Sequence, residues 1–196
     1  MRTMSALPEL PSQHFEEWPL NFLADYIEQT HHLYIEREAP VLLQVSTEMM
    51  RSFGRDQVEL LEIDRLVHTL MRTLQQHMLH EETVLFPYIK RLVAAQGNRK
   101  QPVIKPFETV RKPFQAMEHE HVLLLKVLDR IRDLCHNFTR MADSNEKYYL
   151  FLNKLRDFSD DLLQHTELEN DILFPKAIAL ELEIEGDEKY QNRWFC

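Results

Sequence analysis

The stretch HMLHEETVLFP at residues 77–87 returns as HTELENDILFP at residues 165–175, and this doubling limits the fold more than any other feature of the chain. In both copies a histidine is followed by a glutamate four positions on, and by Leu-Phe-Pro at the eighth to tenth positions. The offset is 88 residues, from His77 to His165 and from Glu81 to Glu169. Two further histidine-bearing stretches keep almost the same interval: THH at 30–32 and EHEH at 118–121, with His32 and His121 separated by 89 residues. The pattern is that of a helical hairpin present twice, each copy contributing a histidine and then H-x-x-x-E.

The rest of the chain accommodates four helices. Only three glycines occur in 196 residues, Gly54, Gly97 and Gly186, which disfavours turn-rich β architectures and suits long helices. Pro19 is expected at the first position of helix one, where its missing N–H costs nothing. That helix should run to about Ser52, kinked at Pro40 and broken by Gly54. Asp56 and Glu59 have capping-box spacing and open helix two, which runs to about Ala95 with a bend at Pro87, and Gly97 ends it. Residues 96–112, with Pro102 and Pro106, read as a long connection. Helix three extends from near Pro113 to about Phe138, and Asp143 with Glu146 caps helix four, which reaches about Leu182. The expected fold is therefore all-α, an up-down-up-down four-helix bundle over residues 19–182. An N-terminal extension, 1–18, and a C-terminal tail, 183–196, flank it.

The histidines and glutamates lie on apolar stripes, not on the wet faces of these helices. On helix four the stripe is Tyr148, Phe151, Leu155, Phe158, Leu162, His165, Glu169 and Ile172. On helix two it is Ile63, Leu66, Leu70, Leu74, His77, Glu81 and Val84, and on helix three Phe114, Met117, His121, Leu125, Leu128 and Ile131. On helix one the stripe of Leu23, Ile27, Tyr34 or Ile35, and Leu42 favours His31, whereas the duplication spacing favours His32.

A buried glutamate without a partner costs several kcal/mol and ordinarily takes up a proton or a counter-charge. No basic residue lies on these stripes to supply one. A single H-x-x-x-E on a helix is most often a surface pair, but the duplication and the matching stripes argue otherwise. Two first-row metal ions, held by four imidazoles and bridged by Glu81 and Glu169, account for both carboxylates. The expected ligands are His32 (or His31), His77, Glu81, His121, His165 and Glu169. His80 and His119 fall off the stripes, and His14, His68 and His136 have no carboxylate at this spacing. Glu82, Glu118 and Glu120 flank the ligands; they are outer-sphere or access-path candidates, with a wet helix face as the commoner role.

Composition excludes several other functions. A net charge of −9 leaves no basic surface for a phosphate backbone, so no nucleic-acid partner is expected. The first twenty residues lack the apolar core of a signal peptide, and no run of about 18 apolar residues occurs, so neither export by that route nor a membrane span is expected. Two cysteines, Cys135 and Cys196, give no disulfide framework, which suits a cytoplasmic protein.

HMLHEETVLFP, MEHEH and HTELENDILFP resemble the hemerythrin-like di-iron family, and more narrowly the Repair of Iron Centres proteins, which defend iron–sulfur clusters against nitrosative and oxidative damage. The resemblance spans roughly residues 19–180. It implies two non-haem iron ions, oxo- and carboxylate-bridged. The ligand eight residues before a proline in helix one falls on His32, and the others on His77, Glu81, His121, His165 and Glu169. It further implies nitric oxide and oxygen as small diatomic ligands, and damaged iron–sulfur proteins as partners. Three features depart from the pattern. Leu125 stands where oxygen-carrying hemerythrins have a further histidine, and Phe53 where many repair proteins have one. Only about eighteen residues stand before helix one, where full-length repair proteins carry a small domain with adjacent cysteines, so that domain is not expected here. A hemerythrin-type sensor or store of oxygen or nitric oxide is the first alternative. A ferritin-like di-iron oxidase, using Glu28-x-x-His31 and Glu118-x-x-His121, is the second, and it leaves His77 and His165 unexplained.

Overall fold

The computed structural model describes residues 14–97, 106–139 and 146–192. Four long rods carry most of them, and no strand occurs among the described residues. α1 comprises Leu20–Ile27, a π turn at Glu28–His32, and Leu33–Phe53. α2 comprises Glu59–His80, a π turn at Glu81–Leu85, and Phe86–Gly97. α3 is the uninterrupted helix Arg111–Leu134. α4 comprises Glu146–Glu167, a π turn at Leu168–Leu173, and Phe174–Asn192. α1 packs on α2 and α4, α3 packs on α2 and α4, and the C-terminal halves of α2 and α4 meet. The chain is an all-α, up-down-up-down four-helix bundle.

Several element ends differ from their sequence expectation, each for a local reason. Helix α1 opens at Leu20, so Pro19 lies just outside it in extended conformation, not at its first position. Helix α2 opens at Glu59 after Val58 without a side-chain cap. The amides of Asp56 and Gln57 both donate to the carbonyl of Phe53, which keeps Asp56 in the turn that closes α1. Helix α3 stops at Leu134 and not near Phe138. Cys135 and Phe138 both turn into the core, and the chain gets there through His136, Asn137 and Phe138 at φ of 48°, 55° and 56°. Gly186 does not stop α4, which runs on to Asn192; a helical glycine costs only about 1 kcal/mol. Pro102, Asp143 and Cys196 lie outside the described residues.

The three π turns shift the apolar stripes. An extra residue per turn moves the next inward position along by one, so Leu85 and Leu173 are buried where Val84 and Ile172 were expected. In the same way Pro87 and Pro175 each come second after a π turn. A proline has no N–H to donate four residues back and its ring crowds that carbonyl; the wider turn relieves both demands. On α3, Leu124 is buried and Leu125 only half-buried, the reverse of the expected stripe.

The core is divided. One apolar cluster, built around Ile35, Leu70, Leu128 and Phe158, fills one end of the bundle. A second, around Ile27, Phe86, Phe114 and Phe174, fills the other. Between them lies a layer of buried histidines and glutamates: His31, His32, His77, Glu81, His121, His165 and Glu169.

Candidate metal centre

Each rod delivers its side chains to this layer by a different local device. In α1 the π turn places both His31 and His32 inside, each 1% exposed, although adjacent helical residues normally point about 100° apart. In α2 and α4 the glutamate of H-x-x-x-E sits within the π turn, below its histidine. α3 presents His121 from a regular helix. π turns of this kind recur at functional sites.

Two groups of four ligand atoms result, each group with all its atoms within 4.8 Å of one another. One is His32, Glu81, His165 and Glu169; the other is His77, Glu81, His121 and Glu169. The carboxylates belong to both. Glu81 Oε1 lies 3.0 Å from His77 Nε2, and Glu81 Oε2 lies 3.4 Å from His32 Nε2. Glu169 Oε1 lies 3.2 Å from His165 Nε2, and Glu169 Oε2 lies 3.1 Å from His121 Nε2. Each glutamate therefore spans the two groups with one oxygen apiece.

The outer ring nitrogens fix which inner nitrogens carry lone pairs. His32 Nδ1 lies 2.7 Å from Glu82, His77 Nδ1 lies 2.9 Å from Glu120, and His121 Nδ1 lies 2.8 Å from the Asn170 side-chain oxygen. All three partners are acceptors, so the proton of each neutral ring resides on Nδ1 and the lone pair on Nε2. Yet His77 Nε2 and His121 Nε2 approach to 2.8 Å, and His32 Nε2 and His165 Nε2 to 3.3 Å. All four carboxylate oxygens, although 3.0–3.4 Å from these nitrogens, lack hydrogen-bond alignment and have no partner. Lone pairs converging at such distances repel unless a proton or a cation lies among them. The donor set, two nitrogens and two oxygens per group, is one that divalent first-row metals accept.

The protonation preferences agree. Burial alone would lower the His77 value, but the negative charge of Glu81, 3.0 Å away, outweighs that and holds it at about 10. His32 is likewise raised, with Glu81 overcoming burial. Burial would raise Glu81, and the Glu169 charge adds to that, yet His77 and His32 hold it below the ordinary carboxylate range. Burial would raise Glu169 too, but His165 and His121 keep it well below that range. Without metal, protons on His77 and His32 take the place of cations.

Aromatic rings close the layer on one side. Phe86 stacks on His32, with centroids 5.6 Å apart, and Phe174 stacks on His121 at 6.1 Å. These are the phenylalanines of the two Leu-Phe-Pro copies, each covering the histidine of the preceding rod. The sequence reading assigned them no role.

Of the sequence candidates, His32, His77, Glu81, His121, His165 and Glu169 come together in the two groups. His31 joins neither group; its Nδ1 lies 2.9 Å from Asp161. Glu82 and Glu120 are hydrogen-bond partners of the layer and not simply part of a wet face. His14, His68, His80, His119 and His136 are exposed. Sequence reasoning missed Asn170 and Asp161 altogether. Their signal was adjacency: Asn170 follows Glu169, and Asp161 precedes His165 by one helical turn.

No described helix is long and apolar enough to cross a membrane. The iron-sulfur cluster repair protein YtfE of Yersinia pestis (strain Pestoides F) is 27% identical to this chain over 177 residues, covering 89% of this chain and 74% of that protein. The protein of the same name from Salmonella paratyphi B is also 27% identical, over 88% of this chain and 74% of its own length. The Hemerythrin HHE cation binding domain matches residues 24–177, which take in all six residues of the two groups and most of the bundle. The chain belongs to the hemerythrin HHE cation-binding family.

Proposed function

We propose that this chain holds two iron ions, one between His32 and His165 and one between His77 and His121, bridged by Glu81 and Glu169. On this reading the protein protects or rebuilds iron–sulfur clusters under nitrosative or oxidative stress, in the cytoplasm. The single observation that carries the dinuclear reading is the division of oxygens, one from each glutamate in each group. Bound iron would supply open positions for nitric oxide or oxygen species, or be released as cargo to a damaged cluster. The chain's own residues do the rest. Glu82, Glu120 and Asn170 orient three of the imidazoles, and Phe86 and Phe174 cover the His32 and His121 rings. The likeness to proteins named for iron–sulfur cluster repair supports this choice among di-iron functions.

An oxygen or nitric oxide sensor or store is the second reading. Half-buried Leu125 packs against the apolar core, where an oxygen carrier of the family would place another imidazole, and this counts against it. The ferritin-like oxidase scheme needs Glu28 as a ligand, but the Glu28 carboxylate lies 3.6 Å from the Lys90 ammonium, outside both groups.

The test is to expose anaerobic, iron-loaded protein to nitric oxide and to oxygen, and then to mix it with a nitric-oxide-damaged iron–sulfur enzyme. The repair reading expects the enzyme's cluster spectrum to return faster with loaded protein than with metal-free protein. A stable, reversible oxygen complex with no effect on the damaged enzyme would favour the store.

A further inference from the structure

Three of the four candidate ligand histidines have a polar side chain at Nδ1, and His165 does not. Its Nδ1 is buried without a hydrogen-bond partner. A metal-bound imidazole almost always donates its other N–H to an acceptor, and losing that acceptor weakens the metal. The unpaired nitrogen therefore asks for a partner that the six-residue ligand set does not contain.

His31 stands beside it. The two rings lie nearly parallel, with centroids 5.8 Å apart and planes 11° from each other. His31 Nδ1 is held by Asp161 Oδ1 at 2.9 Å, and Tyr26 packs edge-on against the ring at 5.8 Å, so its position is fixed from two sides. Its Nε2 is the second unpartnered buried nitrogen in this region. Because Asp161 accepts, the His31 proton resides on Nδ1, and Nε2 offers a lone pair. Asp161 lies one turn before His165 on α4, which puts the carboxylate, the bridging histidine and the ligand at one corner of the bundle. No direct hydrogen bond joins the stacked rings of His31 and His165, but a single water with two hydrogen bonds of about 2.8 Å joins atoms up to about 5.6 Å apart.

We propose that His31 and Asp161 are the outer support of His165, acting through one buried water that accepts from His165 Nδ1–H and donates to His31 Nε2. The protons balance without any charge change: His165 donates to the water, the water to His31, and His31 to Asp161. The chain supplies His165 in this way with what Glu82, Glu120 and Asn170 supply directly to the other three. His31 is then a positioning residue and not a spare ligand, and the π turn of α1 exists to bring both adjacent histidines inside. The inference rests on the proposed function only in treating His165 as a ligand.

Two measurements test it separately from that reading. In the metal-free protein, imidazole nitrogen NMR should find His165 and His31 each fixed as the Nδ1–H form. In His31→Leu the His165 ring should lose that single form, and in His31→Gln, whose amide oxygen can accept, it should regain it. In zinc- or iron-loaded protein, His31→Leu and Asp161→Asn should each speed release of one metal about tenfold or more while the other is kept, with His31→Gln near wild type. Thermal unfolding of the metal-free variants shows whether they fold, and Asp161→Asn covers the case in which His31→Leu does not. The proposal is overturned if the His165 form and the metal release rates are the same in all of them. If the wild type binds no metal, the ligand reading fails, and the NMR arm still decides whether His31 supports His165.

Discussion

At the scale of single residues, Glu81 and Glu169 matter most because each is shared by two groups. Removing a bridge should therefore release both ions. Glu81→Ala and Glu169→Ala are each expected to bring metal content from two per chain to near zero, measured by elemental analysis after gel filtration. Loss of one ion with full retention of the other would contradict the shared arrangement. Acidity gives a second expectation at this scale. His77 is held at about 10, above the ordinary 6.5, so in the metal-free protein its contribution to stability is complete below about pH 6.5. It is lost as pH rises toward 10. Glu81 and Glu169 are held below 4.5, so their contribution is present above that value and lost as pH falls beneath it. Urea unfolding of metal-free protein should show its highest midpoint between about pH 4.5 and 6.5, with a decline on the alkaline side. A midpoint that rises between pH 6.5 and 10 would count against protonated His77. The inward His and Glu positions were legible in the sequence because a charge on an apolar stripe stands out against its neighbours. Asn170 and Asp161 were not, since a polar residue beside a stripe looks the same whether it bonds a ligand or water.

At the scale of elements, the π turns explain what periodicity could not. A 3.6-residue period fitted through His77, Glu81 and Val84 assumes a regular helix, and an extra residue at 81–85 moves the burial to Leu85. The ambiguity between His31 and His32 has the same origin. The stripe pointed to one and the duplication to the other, and the π turn buries both. Repetition of Leu-Phe-Pro was visible, but not that its proline leaves a wide turn and its phenylalanine covers a histidine. The end of α3 offers a stability test. His136 is exposed at φ 48°, where a side chain costs about 1–2 kcal/mol, part of which glycine recovers. His136→Gly should stabilise the protein by about 0.5–1 kcal/mol, seen as a raised thermal midpoint with metal content unchanged. A lowered midpoint would mean that the His136 side chain is needed in this turn.

At the scale of the whole molecule, two apolar clusters hold a polar layer at mid-bundle, and buried ties keep the ends in register. Glu181 on α4 accepts from the Tyr88 hydroxyl at 2.6 Å, from the Thr109 hydroxyl at 2.8 Å, and from the Val110 amide at 3.1 Å. It thus joins α4 to α2 and to the start of α3, and burial with this neighbour raises the Tyr88 hydroxyl above its ordinary value. Glu181→Ala should cost about 2–4 kcal/mol, because buried donors lose their acceptor. The denaturant midpoint should fall while the metal content stays at two, since Glu181 lies outside both groups. The four-helix plan itself was legible from the doubled motif and the scarce glycines. Glu181 was not, because nothing in its local sequence distinguishes it from the exposed Glu183 two residues on.

The central claim is that two metals share Glu81 and Glu169. The measurement that tests it most directly is the metal content and absorption spectrum of anaerobically purified, iron-reconstituted protein before and after exposure to oxygen. Two irons per chain, with charge-transfer bands of an oxo-bridged pair after oxygen, is the predicted result. One iron or none, with the helical fold intact, would mean that the buried histidines and glutamates serve as protonated structural polar groups.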